Sequence, residues 1–146
     1  MPRVRRAATL SAGSGEVWEV VGDPHHLPRW WPKVGRVEGV EDDRWTVVFL
    51  TQKGKPIRAD YRLVASEAPT QRSWRQELED SPFERVLSES LTEVRLEPGG
   101  EASTRVTIEL SQKLRGLSRL GGFMVRRGSR RVLDEALEGL RGACER

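Results

Sequence analysis

Ser88, Ser90 and Thr92 stand at alternate positions of one segment, Glu84 to Leu96, so their hydroxyls share one face of a strand. Val86, Val94 and Leu96 have the same parity, which assigns that face to an interior. A buried hydroxyl without a partner costs about 1–3 kcal/mol. Two arrangements answer that cost. Water or a polar ligand lies against the hydroxyls, or the parity is reversed and Leu87 and Leu91 face inward. Reversal would also leave Glu89 and Glu93 to be explained, so inward hydroxyls are the expectation.

Other residues with chemical capacity are less specific. Tyr61 could orient a carbonyl or act as a general acid, although a buried tyrosine more often bonds a backbone carbonyl. The pair His25-His26 cannot easily converge on one metal, and no carboxylate or thiolate cluster is placed to complete a site. Asp23, before Pro24, is better explained as a helix-end residue. Cys144 is the only cysteine, which excludes an intrachain disulfide and a Cys-based metal cluster within one chain. Near the end of an amphipathic helix it reads as a small apolar residue. Gly13-Ser-Gly15 is too short for a phosphate loop, and there is no nucleophile elbow or dinucleotide fingerprint.

Composition bounds the rest. At 146 residues, 36% hydrophobic and 32% charged, residues 1–146 are expected to form one globular domain with a real core. No apolar run approaches the roughly 20 residues that span a bilayer. The basic N-terminus lacks the apolar core of a signal peptide, so a cytoplasmic protein is expected. The net charge of +3 is mild, but its distribution is not. Lys113 to Arg131 holds seven basic residues and no acidic one, whereas Asp134 to Glu145 is mostly acidic. Arg126, Arg127, Arg130 and Arg131 could meet an anionic membrane or an acidic partner, or form a solvated helix face. Nucleic acid is not an expected partner. Arg127, three residues after Met124, is the arginine expected to reach an interior.

The elements that position these residues follow from periodicity. Residues 3–10 suit an opening strand, with Val4, Ala8 and Leu10 on one parity and Arg6 intruding. Ser11 or Ser14 can cap a helix whose Val17, Trp18 and Val21 recur at helical spacing. Asp23-Pro24 ends it, and Leu27, Trp30 and Trp31 form a second short helical patch stopped by Pro32. Strands are expected at 34–40, 44–51, 56–66, 72–79, 84–96 and 103–110, separated by turns at Lys53–Pro56, Ala68–Gln71 and Pro98–Glu101. From about Leu117 the period becomes helical, through Leu120, Met124, Leu133, Ala136, Leu137, Leu140 and Cys144. Gly121-Gly122 allow a break in it, and Gly128, Gly139 and Gly142 weaken it. A curved antiparallel sheet of about six or seven strands, gripped by one long C-terminal helix across its concave face, is the expected α+β architecture. One helix cannot fill that face, so a cavity is expected between them.

This order, with Val17-Trp18, Asp23-Pro24, Leu27 to Pro32, Thr104 to Thr107 after Pro98-Gly-Gly, and Leu137-Glu-Gly-Leu140, resembles the START/SRPBCC helix-grip superfamily. The likeness is to its polyketide cyclase/dehydrase-like bacterial members. It implies a cavity for a hydrophobic or amphipathic small molecule such as a lipid, quinone or polyketide, reached between the short helices, the loops and the long helix. Its wall would then be Phe49, Tyr61, Trp74, Gln76, Ser88, Ser90 and Thr92, with Phe123 and Met124 from the helix. Trp18 and Trp30 would be anchors and Trp31 a ligand contact, with Arg127 reaching the cavity. The resemblance leaves three activities open: a carrier, an aromatase/cyclase-like enzyme, or an interaction module using residues 113–131. No catalytic residue, metal or cofactor is assigned.

Overall fold

Apolar alternation resolves into seven strands: β1 Arg3–Leu10, β2 Val34–Glu38, β3 Arg44–Leu50, β4 Pro56–Glu67, β5 Gln71–Glu77, β6 Leu87–Pro98 and β7 Thr104–Leu114. Between β1 and β2 lie α1 (Ser14–Val21), a 3₁₀ turn (Pro24–His26) and α2 (Leu27–Trp30), and α3 (Arg119–Cys144) closes the chain. The structure, a computed structural model, describes residues 3–81, 83–100, 102–116 and 119–145, with the side chains of 119–123 outside that description. The strands form one antiparallel sheet in the order β1-β7-β6-β5-β4-β3-β2. The α+β helix-grip expectation holds.

Several local expectations change. Neither Ser11 nor Ser14 caps α1. Gly13 stands at its N-cap with no side-chain bond, and the Ser14 hydroxyl instead lies 3.3 Å from Thr104 Oγ1. Thr104 is fully buried and donates to the Ala12 carbonyl at 2.7 Å, which satisfies a main-chain acceptor that water cannot reach. Asp23 caps the 3₁₀ turn by accepting the His25 backbone N–H at 3.0 Å. The intruding Arg6 pairs with Asp134 of α3 at 3.3 Å. Gly121-Gly122 do not break α3, which runs through them.

The core joins Val4 and Leu10 of β1, Val106 and Ile108 of β7, Val17 of α1, Leu27 and Trp30 of α2, and Leu133, Ala136, Leu137 and Leu140 of α3. Each fully buried leucine there contributes roughly 1.5–3 kcal/mol. Helix α3 packs on β1, β7, α1 and α2. Gly139 makes this approach feasible: a Cβ there would sit 2.3 Å from the Trp30 carbonyl oxygen. The glycine is a packing device for α2 on α3, beyond its cost to helix propensity. Because α3 is anchored on the β1 side and on the short helices, the concave face toward β3–β5 stays open.

Candidate functional site

The opening is a cavity of about 1160 Å³ between the sheet and α3. The sheet supplies Trp45, Val47 and Phe49 from β3, Tyr61 from β4, and Trp74 and Gln76 from β5. Ser90 and Thr92 of β6 and Leu110 and Gln112 of β7 complete that floor. Val125, Gly128, Ser129 and Val132 of α3 form the opposite wall, and Trp31 and Phe83 stand on loops at the margin.

Aromatic rings run in an unbroken chain along this floor. Trp30 meets Trp31 edge-on at 5.4 Å, Trp31 meets Trp74 at 6.2 Å, and Trp74 meets Trp45 at 6.1 Å. Trp45 then stacks on Tyr61 at 6.2 Å with 15° between the planes. Trp30 is buried, as an anchor should be, while Trp31 is only half-buried and faces the cavity. Behind Trp45, the guanidinium of buried Arg72 lies 5.4 Å from the ring centroid. Burial pulls the Arg72 pKa down, and the Asp23 carboxylate opposes that shift. Burial pushes the Tyr61 phenol well above its usual range, so it is a hydrogen-bond donor and not a base near neutrality.

Polar groups are concentrated in one band. Tyr61 lies opposite Gln76, and Ser90 lies opposite Gln112. The Ser129 hydroxyl reaches Gln112 Oε1 at 3.4 Å and ties this band to α3. The Nε2 of Gln76 and the Nε1 of Trp45 are buried with no partner among the described residues.

Phe49, Tyr61, Trp74, Gln76, Ser90, Thr92 and Trp31 therefore come together where the sequence placed them. Ser88 does not. A bulge between Leu87 and Glu89 shifts the register, turns Leu87 inward, and leaves Ser88 exposed with its hydroxyl donating to the Lys113 carbonyl. Met124 is 65% exposed. It lies nine residues before Leu133, and at about 100° per residue that is half a turn out of phase with the buried stripe. Arg127 is exposed and off the wall for a similar reason, standing about 200° round the helix from Val125. Arg131 lines the rim instead. Phe123 lies outside the described residues. Trp45, Gln112 and Ser129 were missed. Trp45 shares the parity of Val47 and Phe49, and Gln112 continues that of Ile108 and Leu110 beyond the expected end of β7.

The remaining candidates are local features. His25 Nδ1 lies 2.8 Å and His26 Nε2 3.8 Å from the two Asp23 carboxylate oxygens. Among the described residues no group of three or more His, Cys, Asp or Glu is placed to hold a metal. Burial pushes the Cys144 thiol up, although Arg29 opposes it, and lowers its reactivity. Arg126, Arg127, Arg130 and Arg131 are exposed or rim residues, and the ion pairs that α3 makes with described residues use Asp134, Glu138, Arg141 and Glu145. No described helix is long and apolar enough to cross a membrane.

Comparison with solved structures finds the same architecture. The di-domain ARO/CYC BexL from the BE-7585A biosynthetic pathway superposes with a TM-score of 0.82 at 20% identity, over 98% of this chain and 46% of that one. This chain therefore spans about half the length of that protein. A START superfamily protein from Mycobacterium smegmatis gives 0.79 at 13% identity, covering 98% and 97% of the two chains. XoxI from Bacillus cereus gives 0.79 at 15% identity, covering 99% and 96%. At these identities the likeness is one of fold. No curated protein matches the sequence. Residues 1–145 match the family described as "Polyketide cyclase / dehydrase and lipid transport", within the START-like helix-grip group, and the chain belongs to that family.

Proposed function

We propose that the chain binds a hydrophobic or amphipathic small molecule in the cavity between its sheet and α3. The observation that carries this reading is the wall itself: a continuous aromatic chain crossed by one band of hydroxyl and amide groups, in a space of about 1160 Å³. Apolar walls with a few placed polar groups suit a small organic molecule better than an ion or a polymer. The proposal treats residues 1–146 as one ligand-binding unit acting in the cytoplasm. The ligand would pass the exposed lining residues Leu50, Lys53 and Arg131, which combine apolar and cationic character. An amphipathic molecule fits such a passage.

Titration with N-phenyl-1-naphthylamine, a neutral apolar fluorophore, tests the reading. Saturable one-to-one binding is expected, with energy transfer from the wall tryptophans, and Ser90→Trp, which takes up part of the space beside the polar band, should weaken it. No binding to the folded wild-type protein would overturn the reading. Native mass spectrometry separates the two activities that the fold can host. A carrier returns its bound molecule unaltered, and a cyclase-like enzyme returns a changed one.

A further inference from the structure

We infer that Gln76, and Trp45 two strands away, read uncharged carbonyl-type oxygens on the molecule held in the cavity. This rests on the binding reading above and deepens it. Register aligns the groups. Trp45 is opposite Tyr61, and Tyr61 is opposite Gln76. The pairing that sets Trp74 against Thr92 carries Gln76 toward Ser90, which is opposite Gln112. One row thus crosses the sheet from Trp45 to Gln112.

Along this row some groups are occupied and some are not. Gln112 Oε1 accepts from Ser129. Gln76 is only 7% exposed and Trp45 only 2%, yet Gln76 Nε2 and Trp45 Nε1 have no partner among the described residues. An indole N–H can only donate. The missing partner at Trp45 is therefore an acceptor, whichever way the Gln76 amide is turned. The donors of the row are neutral, the cationic side chains of the wall, Lys33, Lys53 and Arg131, are exposed, and the buried Arg72 guanidinium is engaged with the Trp45 ring and the Asp23 charge. A carboxylate on the row would lose its hydration without gaining a counter-charge, whereas a ketone or amide oxygen fits. The flat faces of Trp31 and Trp74 beside the row suit a planar ring system carrying that oxygen.

Fluorenone and fluorene, flat tricyclic molecules differing by one carbonyl, provide the test by displacement of N-phenyl-1-naphthylamine from the cavity. Gln76→Leu should weaken fluorenone binding roughly 2- to 10-fold, the value of one net hydrogen bond, and leave fluorene unchanged. Equal effects on both, or none, overturn the inference but not the cavity reading. Failure of both ligands to bind the wild type overturns the cavity reading itself. The carbonyl carbon resonance of ¹³C-labelled fluorenone bound to the wild type gives a readout independent of the variant. A downfield shift from its position in hydrocarbon solvent is expected, and no shift refutes the hydrogen bond.

Discussion

Gly139 and Gly142 lie three residues apart in α3, and alanine should act on them with opposite sign. Away from tertiary contact, replacing a helical glycine by alanine stabilises by roughly 1 kcal/mol. At Gly142 a Cβ would meet nothing within 4 Å, so that gain should appear nearly whole. At Gly139 the Cβ would fall 2.3 Å from the Trp30 carbonyl oxygen, 2.8 Å from its Cα and 2.9 Å from its carbonyl carbon. All three are main-chain atoms, so no rotamer change relieves the overlap and α2 must move off α3. Overpacking of this kind costs roughly 1–3 kcal/mol, and rigid backbone places it at the upper end. Net of the propensity gain, Gly139→Ala should lose roughly 1–2 kcal/mol, leaving the two variants roughly 2–3 kcal/mol apart. For a chain of this size that separates their Tm values by roughly 4–12 °C. Urea unfolding of both variants measures it. Because Trp31 follows the displaced residue, the Gly139 variant should also change tryptophan emission. A Gly139→Ala protein as stable as Gly142→Ala would refute the claim that this glycine is needed for helix–helix approach.

Two further outcomes follow from polar groups outside the cavity. Thr104→Val should cost roughly 1–3 kcal/mol in urea unfolding, because the buried Ala12 carbonyl loses its donor at nearly constant side-chain volume; an unchanged midpoint would mean that another donor reaches Ala12. Burial raises the Asp23 pKa, but the His25 backbone N–H, the His25 ring and the charges of His25 and His26 outweigh it and hold the carboxyl below 3.8. A depressed carboxyl pKa stabilises the fold above the unfolded value and loses that effect as pH falls through the folded value. The difference in stability between wild type and Asp23→Ala should shrink on acidification below pH 3.8, as followed by thermal melts. A difference that is flat through pH 2–4 would contradict it.

The fold was legible because each strand announces its own inward face. Ile57, Ala59 and Tyr61, or Val106, Ile108 and Leu110, need no tertiary information to choose a side. The site was legible to the same extent, since Phe49, Trp74, Gln76, Ser90 and Thr92 inherit their direction from that alternation. It failed where phase changes within an element. The bulge at Leu87/Glu89 exchanges Leu87 for Ser88, and nothing in the residue types there marks the extra residue. In α3, Leu120 and Met124 are in phase with each other and out of phase with Leu133 by about half a turn, so one stripe was drawn through two. Gly139 escaped for another reason. The close approach it permits is a property of two helices, and α2 is too short to announce its partner.

The residues along α3 also explain why a cavity exists at all. Where the helix packs, it presents Leu133, Leu137 and Leu140 to β1 and the short helices. Over the cavity it presents Val125, Gly128, Ser129 and Val132 instead. These are small side chains, of which Ser129 touches the sheet through its 3.4 Å bond to Gln112, and a Cβ at Gly128 would meet nothing within 4 Å. Leucine at such positions would remove apolar surface from water and stabilise the chain by roughly 1.5–3 kcal/mol each. The floor beneath is not apolar enough to collapse onto the helix either, because Gln76, Ser90, Thr92 and Gln112 stand there in place of a continued Val/Ile/Leu stripe. Small residues above and polar residues below hold the space open at the expense of stability, and a fold that forgoes stability at one place is using that place for something else.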